Sequence, residues 1–266
     1  MSAISPDLLN ELAGFARSLA AAAGEAILPH FRQPISVDNK AMGAFDPVTI
    51  ADRNGETAMR ELIEAHFPDH GILGEEHGHK PSRSGFEWVL DPVDGTRSFI
   101  MGIPLWTTLI GLTFEGQSIL GLMHQPYIGE SFSGSKLGSY WHRGDVSQKI
   151  TTKPAKNLSS AKLMTVAPEI YKTPAQKQIL ERLTSHVRLA RYGADAYAYC
   201  LLAQGQLDIA LDAGLESYDI AALVPIIENA GGVVSTFDGK SPLGGGDIIA
   251  AASPELHAEA LTLIGA

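Results

Sequence analysis

An α/β protein is what the sequence predicts, α+β in residues 1–145 and α/β in residues 146–266. Three observations predict it. The chain has 266 residues, 45% hydrophobic and 19% charged, enough apolar material for one large core or two lobes sharing an interface. Up to about residue 150 two amphipathic helical segments lead into strand-like segments; beyond it, short apolar strands alternate with helices, as in a sheet covered by helices. No repeat, low-complexity tract or Pro/Ser linker separates the halves, so a site where they meet is the default expectation.

Residues 6–31 read as the first helix, with Ser5 as N-cap, Pro6 in the first turn, and Leu8, Leu12, Phe15, Leu19 and Ile27 near helical spacing. A second helix covers 50–66 and is ended by Pro68. Short strands follow at "GILG" and "FEWVL". Then "LWTTLIGLTF" and "SILGLMHQP" are joined by the turn "EGQ", and a Gly- and Ser-rich strand-like region reaches about residue 142. In the second half the expected order is "AKLMTVA", a helix near 174–185, "VRLARYG", a helix from 195, "LDIAL", a helix at 217–230, "GVVSTF", "DIIAAA" and a helix at 254–264.

Composition narrows the chemistry. A net charge of −10 without a Lys/Arg cluster argues against nucleic acid as a partner. The absence of a long uninterrupted apolar run and of a targeting pattern at the start predicts a cytoplasmic protein without a membrane partner. The single cysteine, Cys200, has no CxxC or His-rich neighbour, so a metal would be held by oxygen.

The stretch "WVLDPVDGTRSF" sets Asp91 and Asp94 three residues apart behind an apolar strand. Carboxylates so close repel unless a cation lies between them, and the Gly95 and Thr96 N–H groups could cradle an anion beside it. The alternative is ordinary capping, Asp91 of a turn and Asp94 of a helix. Further acids stand at strand ends and helix starts: Glu75 and Glu76 in "GEE", Asp219 in "YDIAA", and Asp46 and Asp52 around Thr49 in "DPVTIAD". All-oxygen ligation suits Mg²⁺ or Mn²⁺, and two such ions suit phosphoryl hydrolysis. The histidines show no ligand spacing with an acid, and "HGH" at 77–79 reads as a solvated loop.

In this order "GEE", "DPVDGT" and "YDIAALVPIIENAGG" resemble the signatures of the inositol monophosphatase family, Mg²⁺-dependent and lithium-sensitive phosphatases. The resemblance covers nearly the whole chain. It implies a layered αβαβα sandwich, commonly a homodimer, acting on a small-molecule phosphate ester with two to three Mg²⁺ ions, for which Mn²⁺ could substitute. It implies that Glu75, Asp91 and the Val93 carbonyl hold the first ion and that Asp91, Asp94 and Asp219 hold the second. Asp52 would stand near the nucleophilic water and a third ion, with Thr49 helping to orient the water. Gly95 and Thr96 would bind phosphate, the Thr96 hydroxyl also lying near the water. Lys40 is similar to the family's basic residue in a loop near the metals.

Tyr218 stands where the family usually has Trp, and Asn229 where it usually has Glu, with Glu228 one position early. With "RYGADAYAY" at 191–199, these departures resemble the histidinol-phosphatase branch. That likeness makes Asp195, Asp212 and Arg191 candidate substrate residues. Asp195 would favour a cationic substrate by charge-assisted hydrogen bonds, while Asp212 matches an acid that contacts substrate hydroxyls in inositol enzymes. The expected reaction is hydrolysis of histidinol phosphate in histidine biosynthesis. The alternatives are an inositol-1-phosphate or broad sugar-phosphate phosphatase, and a regulatory interaction protein on the same fold. A structural role for Asp195 as helix N-cap stays open, and Tyr197 and Tyr199 read as packing residues.

Overall fold

The structure is a computed structural model, which describes residues 4–39 and 47–265. The expected Lys40 and Asp46 lie outside the described residues. In chain order the first half holds α1 (Pro6–Ile27), β1 (Val37–Asn39), β2 (Pro47–Thr49), α2 (Ile50–His66), β3 (Gly71–Gly74), β4 (Gly78–Lys80), β5 (Phe86–Asp94), α3 (Thr96–Ile100), β6 (Thr107–Phe114) and β7 (Gln117–Gln125). Then come β8 (Glu130–Ser135), β9 (Gly138–Arg143), β10 (Val146–Ile150), β11 (Lys162–Thr165), α4 (Pro174–His186), β12 (Leu189–Tyr192) and α5 (Asp195–Ala203). The chain ends with β13 (Ile209–Leu215), α6 (Ser217–Ile220), α7 (Leu223–Glu228), β14 (Val233–Thr236), β15 (Gly246–Ala251) and α8 (Pro254–Ile264).

These elements stack as an αβαβα sandwich. Among the described residues, β10-β9-β8-β7-β6-β5-β3-β4 form one sheet and β12-β11-β13-β15-β14 a second, beside the small β1-β2 pair. Helices α1 and α2 cover the outer face of the first sheet, α5 to α7 lie between the sheets, and α4 and α8 close the second sheet. Three buried clusters correspond to these interfaces: Leu12, Leu19, Trp88 and Leu112 outside, Leu109, Phe132, Leu202 and Ile226 between the sheets, and Leu163, Leu183, Ile249 and Leu256 under α4 and α8.

Local chemistry explains the helices. The Ser5 hydroxyl accepts the Leu8 N–H at 3.2 Å and Pro6 opens α1, whose apolar stripe is fully buried at Ala16, Leu19 and Ile27. The regular helix stops at Ile27 rather than residue 31, because Pro29 lacks the N–H that the α pattern requires and a 3₁₀ turn, Leu28–His30, takes over.

Three further segments depart from expectation. Strand β5 does not end at Leu90; its pairing with β6 shifts register between Asp91 and Asp94, so "DPVD" is a bulged strand rather than a turn. Residues 78–80, read as part of a loop, pair with β3 as the edge strand β4, His79 staying exposed beside Glu87. The helix expected over 217–230 is two short ones, α6 and α7, broken where the chain touches the first sheet.

That touch is unusually close. Gly111, Gly121 and Gly134 pair across β6, β7 and β8 and make a row without side chains. A Cβ on Gly121 would stand 1.8 Å from the Ala222 carbonyl oxygen, and one on Gly134 2.4 Å from Ile226 Cα. The backbone of Ala221 and Ala222, between α6 and α7, and of α7 itself therefore rests directly on the sheet, and the Ser118 hydroxyl donates to the Ala221 carbonyl at 2.7 Å. A methyl group here must push main chain aside. Gly121→Ala should destabilise by about 3 kcal/mol, a fall in melting temperature of roughly 10 °C by thermal denaturation. Gly244→Ala, whose added methyl meets open space, should stay within about 0.5 kcal/mol of wild type.

Candidate active site

The bulge in β5 turns two acids toward the layer between the sheets. Asp91 Oδ1 accepts the Val93 N–H at 3.0 Å, so it does make the turn contact considered above, while Pro92 has no N–H to compete and its carbonyl accepts the Thr108 hydroxyl at 2.8 Å. Asp94 is not the cap of α3. Gly95, at φ 82°, occupies that position, and Asp94 Oδ2 instead accepts the Ala196 N–H at 2.8 Å at the start of α5. That bond joins residues 102 apart in sequence. Asp219 arrives on α6, where Oδ2 accepts the Glu216 N–H at 2.7 Å. Asp91, Asp94 and Asp219 each present an oxygen within 4.8 Å of the others.

Glu75 stands on the turn after β3, its N–H bonded to the Leu90 carbonyl at 3.2 Å, and its carboxyl acts on Asp91 by charge and by hydrogen bond. Asp52 faces the cluster from the first turn of α2. Its Oδ2 accepts both the N–H (2.9 Å) and the hydroxyl (2.5 Å) of Thr49, the N-cap of that helix. The Thr96 hydroxyl lies 3.1 Å from the Val93 carbonyl oxygen and 3.4 Å from Asp52 Oδ1.

The electrostatics are those of acids facing acids. Burial first, then the charges of Glu75, Asp94 and Asp219, push Asp91 well above the usual carboxylate range. Burial, then Asp195 and Asp219, do the same to Asp94, and burial raises Asp219 to about 7. Burial also raises Asp52, against the two bonds from Thr49. A divalent cation among these oxygens would remove the conflict, so the donor set fits Mg²⁺ or Mn²⁺. Cys200 offers no thiolate: it is fully buried and its thiol is pushed well above its usual range by burial.

Beyond the acids, a cavity of about 50 Å³ is lined by Asp94, Asp195, Tyr199, Asp212 and Asp219. Asp195 does not cap α5; Ala194 holds that position, and the Asp195 carboxylate crosses to α3, where Oδ2 accepts the Ser98 hydroxyl at 3.0 Å. A Cβ on Gly95 would stand 2.7 Å from Asp195 Oδ2, so the position that needs a left-handed glycine also leaves room for this carboxylate. Burial raises Asp195, and Ser98 and Arg97 pull it back.

Asp212 is placed differently. Its Oδ1 accepts Thr165 Oγ1 (2.9 Å) and the Val166 N–H (2.7 Å), and its Oδ2 accepts the Tyr199 hydroxyl at 3.0 Å. Burial pushes it up to about 7, and both oxygens are engaged inside the protein. Arg191 lies exposed on β12, an edge strand, and does not line the cavity.

A sequence profile described as the inositol monophosphatase family matches residues 8–265. The chain belongs to the inositol monophosphatase family. The chloroplastic bifunctional phosphatase IMPL2 of Arabidopsis thaliana is 38% identical over 98% of this chain and 77% of its own length. A histidinol-phosphatase of Chlorobaculum parvum is 33% identical with 98% of each protein covered. A solved inositol monophosphatase from Zymomonas mobilis superposes with a TM-score of 0.86 at 35% identity, covering 97% of this chain and 98% of that one. This member of the inositol monophosphatase family is thus a phosphatase with the family's layered sandwich. Among its described residues no helix is long and apolar enough to cross a membrane.

One of its departures from the family pattern has a plain local role. Asn229 ends α7, donating its side-chain N–H to the Pro225 carbonyl at 2.8 Å, and Glu228 beside it is exposed. Tyr218 stands next to Asp219, its hydroxyl pushed upward by burial and by Glu75 and Asp219. Sequence reasoning missed Ser98 and Glu56. Ser98 carried no signal, since its partner is 97 residues away, whereas Glu56 could have been noticed as an acid one helical turn after Asp52.

Proposed function

We propose that the protein is a Mg²⁺-dependent phosphomonoesterase that hydrolyses histidinol phosphate to histidinol and phosphate. The observation that carries the substrate choice is Asp195, a carboxylate held by Ser98 against Gly95, at the helix start read as the phosphate site. The Chlorobaculum relative, a histidinol-phosphatase, points the same way. A substrate with an ammonium and an imidazole suits that carboxylate; inositol phosphate offers only hydroxyls there.

Mg²⁺ held by Glu75, Asp91 and the Val93 carbonyl, and by Asp91, Asp94 and Asp219, would supply water activation and charge neutralisation for phosphoryl transfer. The chain's own residues would do the rest. Thr49 fixes Asp52 through two bonds to one oxygen, leaving Oδ1 toward Thr96 and able to accept a proton from the attacking water. The Gly95 and Thr96 N–H groups would hold phosphate oxygens. Asp195 would bind the ammonium or imidazolium and set the ester's direction. Asp212, held by Thr165, Val166 and Tyr199, would stiffen the pocket wall through Tyr199 and keep one acceptor site on Oδ2 for a substrate hydroxyl. We further propose a cytoplasmic homodimer, with residues 1–145 and 146–266 as its two subdomains.

The test is phosphate release with Mg²⁺ from histidinol phosphate and inositol 1-phosphate side by side. Catalytic efficiency should favour histidinol phosphate by about tenfold or more, the yield of one charge-assisted hydrogen bond. Equal or reversed efficiencies would make this an inositol- or sugar-phosphate phosphatase.

A further inference from the structure

The reaction described above makes no use of Glu56, yet few side chains are tied down more completely. Glu56 lies on α2 one turn beyond Asp52 and has no exposure to solvent. A carboxylate so buried needs its lone pairs filled, and those of Glu56 are filled largely from one place. Its Oε2 accepts the Glu76 N–H at 2.7 Å and its Oε1 accepts the His77 N–H at 3.1 Å. Arg60, the next turn along, donates Nε–H to Oε1 at 2.7 Å and Nη2–H to the Gly78 carbonyl. The pair thus grips Glu76 and His77 in the turn between β3 and β4 and Gly78, the first residue of β4. That turn carries Glu75.

The grip is close on the other side as well. A Cβ on Gly74 would stand 2.0 Å from Glu56 Oε1, so the carboxylate reaches the turn only because residue 74 is glycine. Glu75 itself donates its N–H to Leu90 on β5. Its backbone is therefore held between the strand that bears Asp91 and the helix that bears Asp52.

We propose that Glu56 is a positioning residue for metal binding: it fixes the β3–β4 turn so that the Glu75 carboxylate faces Asp91. The inference rests on the reading of Glu75 and Asp91 as ligands. Through Thr49, Asp52 and Glu56, a single face of α2 then sets both the water-side acid and the first ion's ligand. A Glu56 with only a structural role would change stability and leave ion affinity alone.

The probe is Mg²⁺ alone, titrated into wild type, Glu56→Gln and Glu56→Asp while thermal unfolding is followed. Gln keeps the volume but turns an N–H₂ toward donors; Asp keeps the charge but falls one methylene short of the turn. In both, the Mg²⁺ midpoint, taken as the Kd fitted to a stabilisation that grows as the logarithm of one plus the ratio of Mg²⁺ concentration to Kd, should rise about tenfold. The KM for the phosphate ester at saturating Mg²⁺ should stay within about twofold. Unchanged Mg²⁺ midpoints overturn the proposal. Arg60→Gln, which removes the donor to Glu56 Oε1 and to the Gly78 carbonyl while Glu56 keeps the Glu76 and His77 N–H groups, should shift the midpoint the same way by a smaller factor; should neither Glu56 variant fold, its midpoint decides. A wild type that Mg²⁺ does not stabilise overturns the ligand reading first, and the role of Glu56 with it.

Discussion

Asp91→Asn should lower phosphate release by about a thousandfold or more, the loss of several kcal/mol of metal-borne stabilisation, and should also raise the melting temperature of the metal-free protein. Both effects come from one arrangement. Asp91 is buried, raised well above the carboxylate range, and faces Glu75, Asp94 and Asp219. An amide of the same shape still accepts the Val93 N–H but carries no charge to hold an ion or to repel its neighbours.

The pH dependence follows in sign. Asp219 sits at about 7 when folded, and Asp91 and Asp94 also hold protons more tightly folded than unfolded. Between about pH 4 and pH 7 the folded chain keeps protons that the unfolded chain has released, so metal-free stability is full below about pH 4 and declines as pH rises through 7. Mg²⁺ would compete with those protons, and its stabilisation should be greater at about pH 8 than at about pH 5.5. At a hundredfold excess over Kd the gain is about 2.7 kcal/mol, or roughly 5–10 °C. Scanning calorimetry of wild type and Asp91→Asn at both pH values, with and without Mg²⁺, checks every part. An Asp91→Asn protein that keeps turnover or keeps the Mg²⁺ shift would remove Asp91 from the ligand set.

Asp195→Asn should lower catalytic efficiency on histidinol phosphate by about tenfold to a hundredfold, the worth of a hydrogen bond to a charged group, while inositol 1-phosphate turnover changes little. Asn retains an oxygen for the Ser98 hydroxyl, so the link from α3 to α5 survives and the charge alone is removed. The loss should appear mainly in KM, because the ammonium is bound equally in ground and transition states. Equal losses on both substrates would leave Asp195 with a structural role.

The frame of this site was legible in the sequence because its signals are local. Ser5 caps the helix it was expected to start, α2 begins at residue 50 as expected, and the strand and helix alternation after residue 150 corresponds to the second sheet and its cover. Asp-Pro and Gly at 91–95 misread as a turn because a strand bulge uses the same residues; only pairing with β6 distinguishes them. The break between α6 and α7 was hidden because its cause, a bare row on β6 to β8, lies about a hundred residues earlier. A separation of 97 residues hid the Ser98–Asp195 bond, and separations of 13 to 47 residues hid the donors to Asp212, leaving Asp195 and Asp212 alike as pocket acids until their partners were seen.

Main-chain atoms have no rotamers, and that gives the row at Gly111, Gly121 and Gly134 a mechanical meaning. Elsewhere in the sandwich, layers are separated by side chains that can change conformation to absorb a shift. At Ala221 and Ala222 two backbones bear on each other, and Asp219 is two residues from that hard stop. The spacing between Asp219 and the acids of β5 is thus referenced to a contact that can neither compress nor rearrange. Core substitutions on either side can move the flanking helices without altering that reference. The tolerance of the cluster for an ion of a given radius would then reside in the carboxylate torsions alone, as suits a small cation that demands near-ideal geometry.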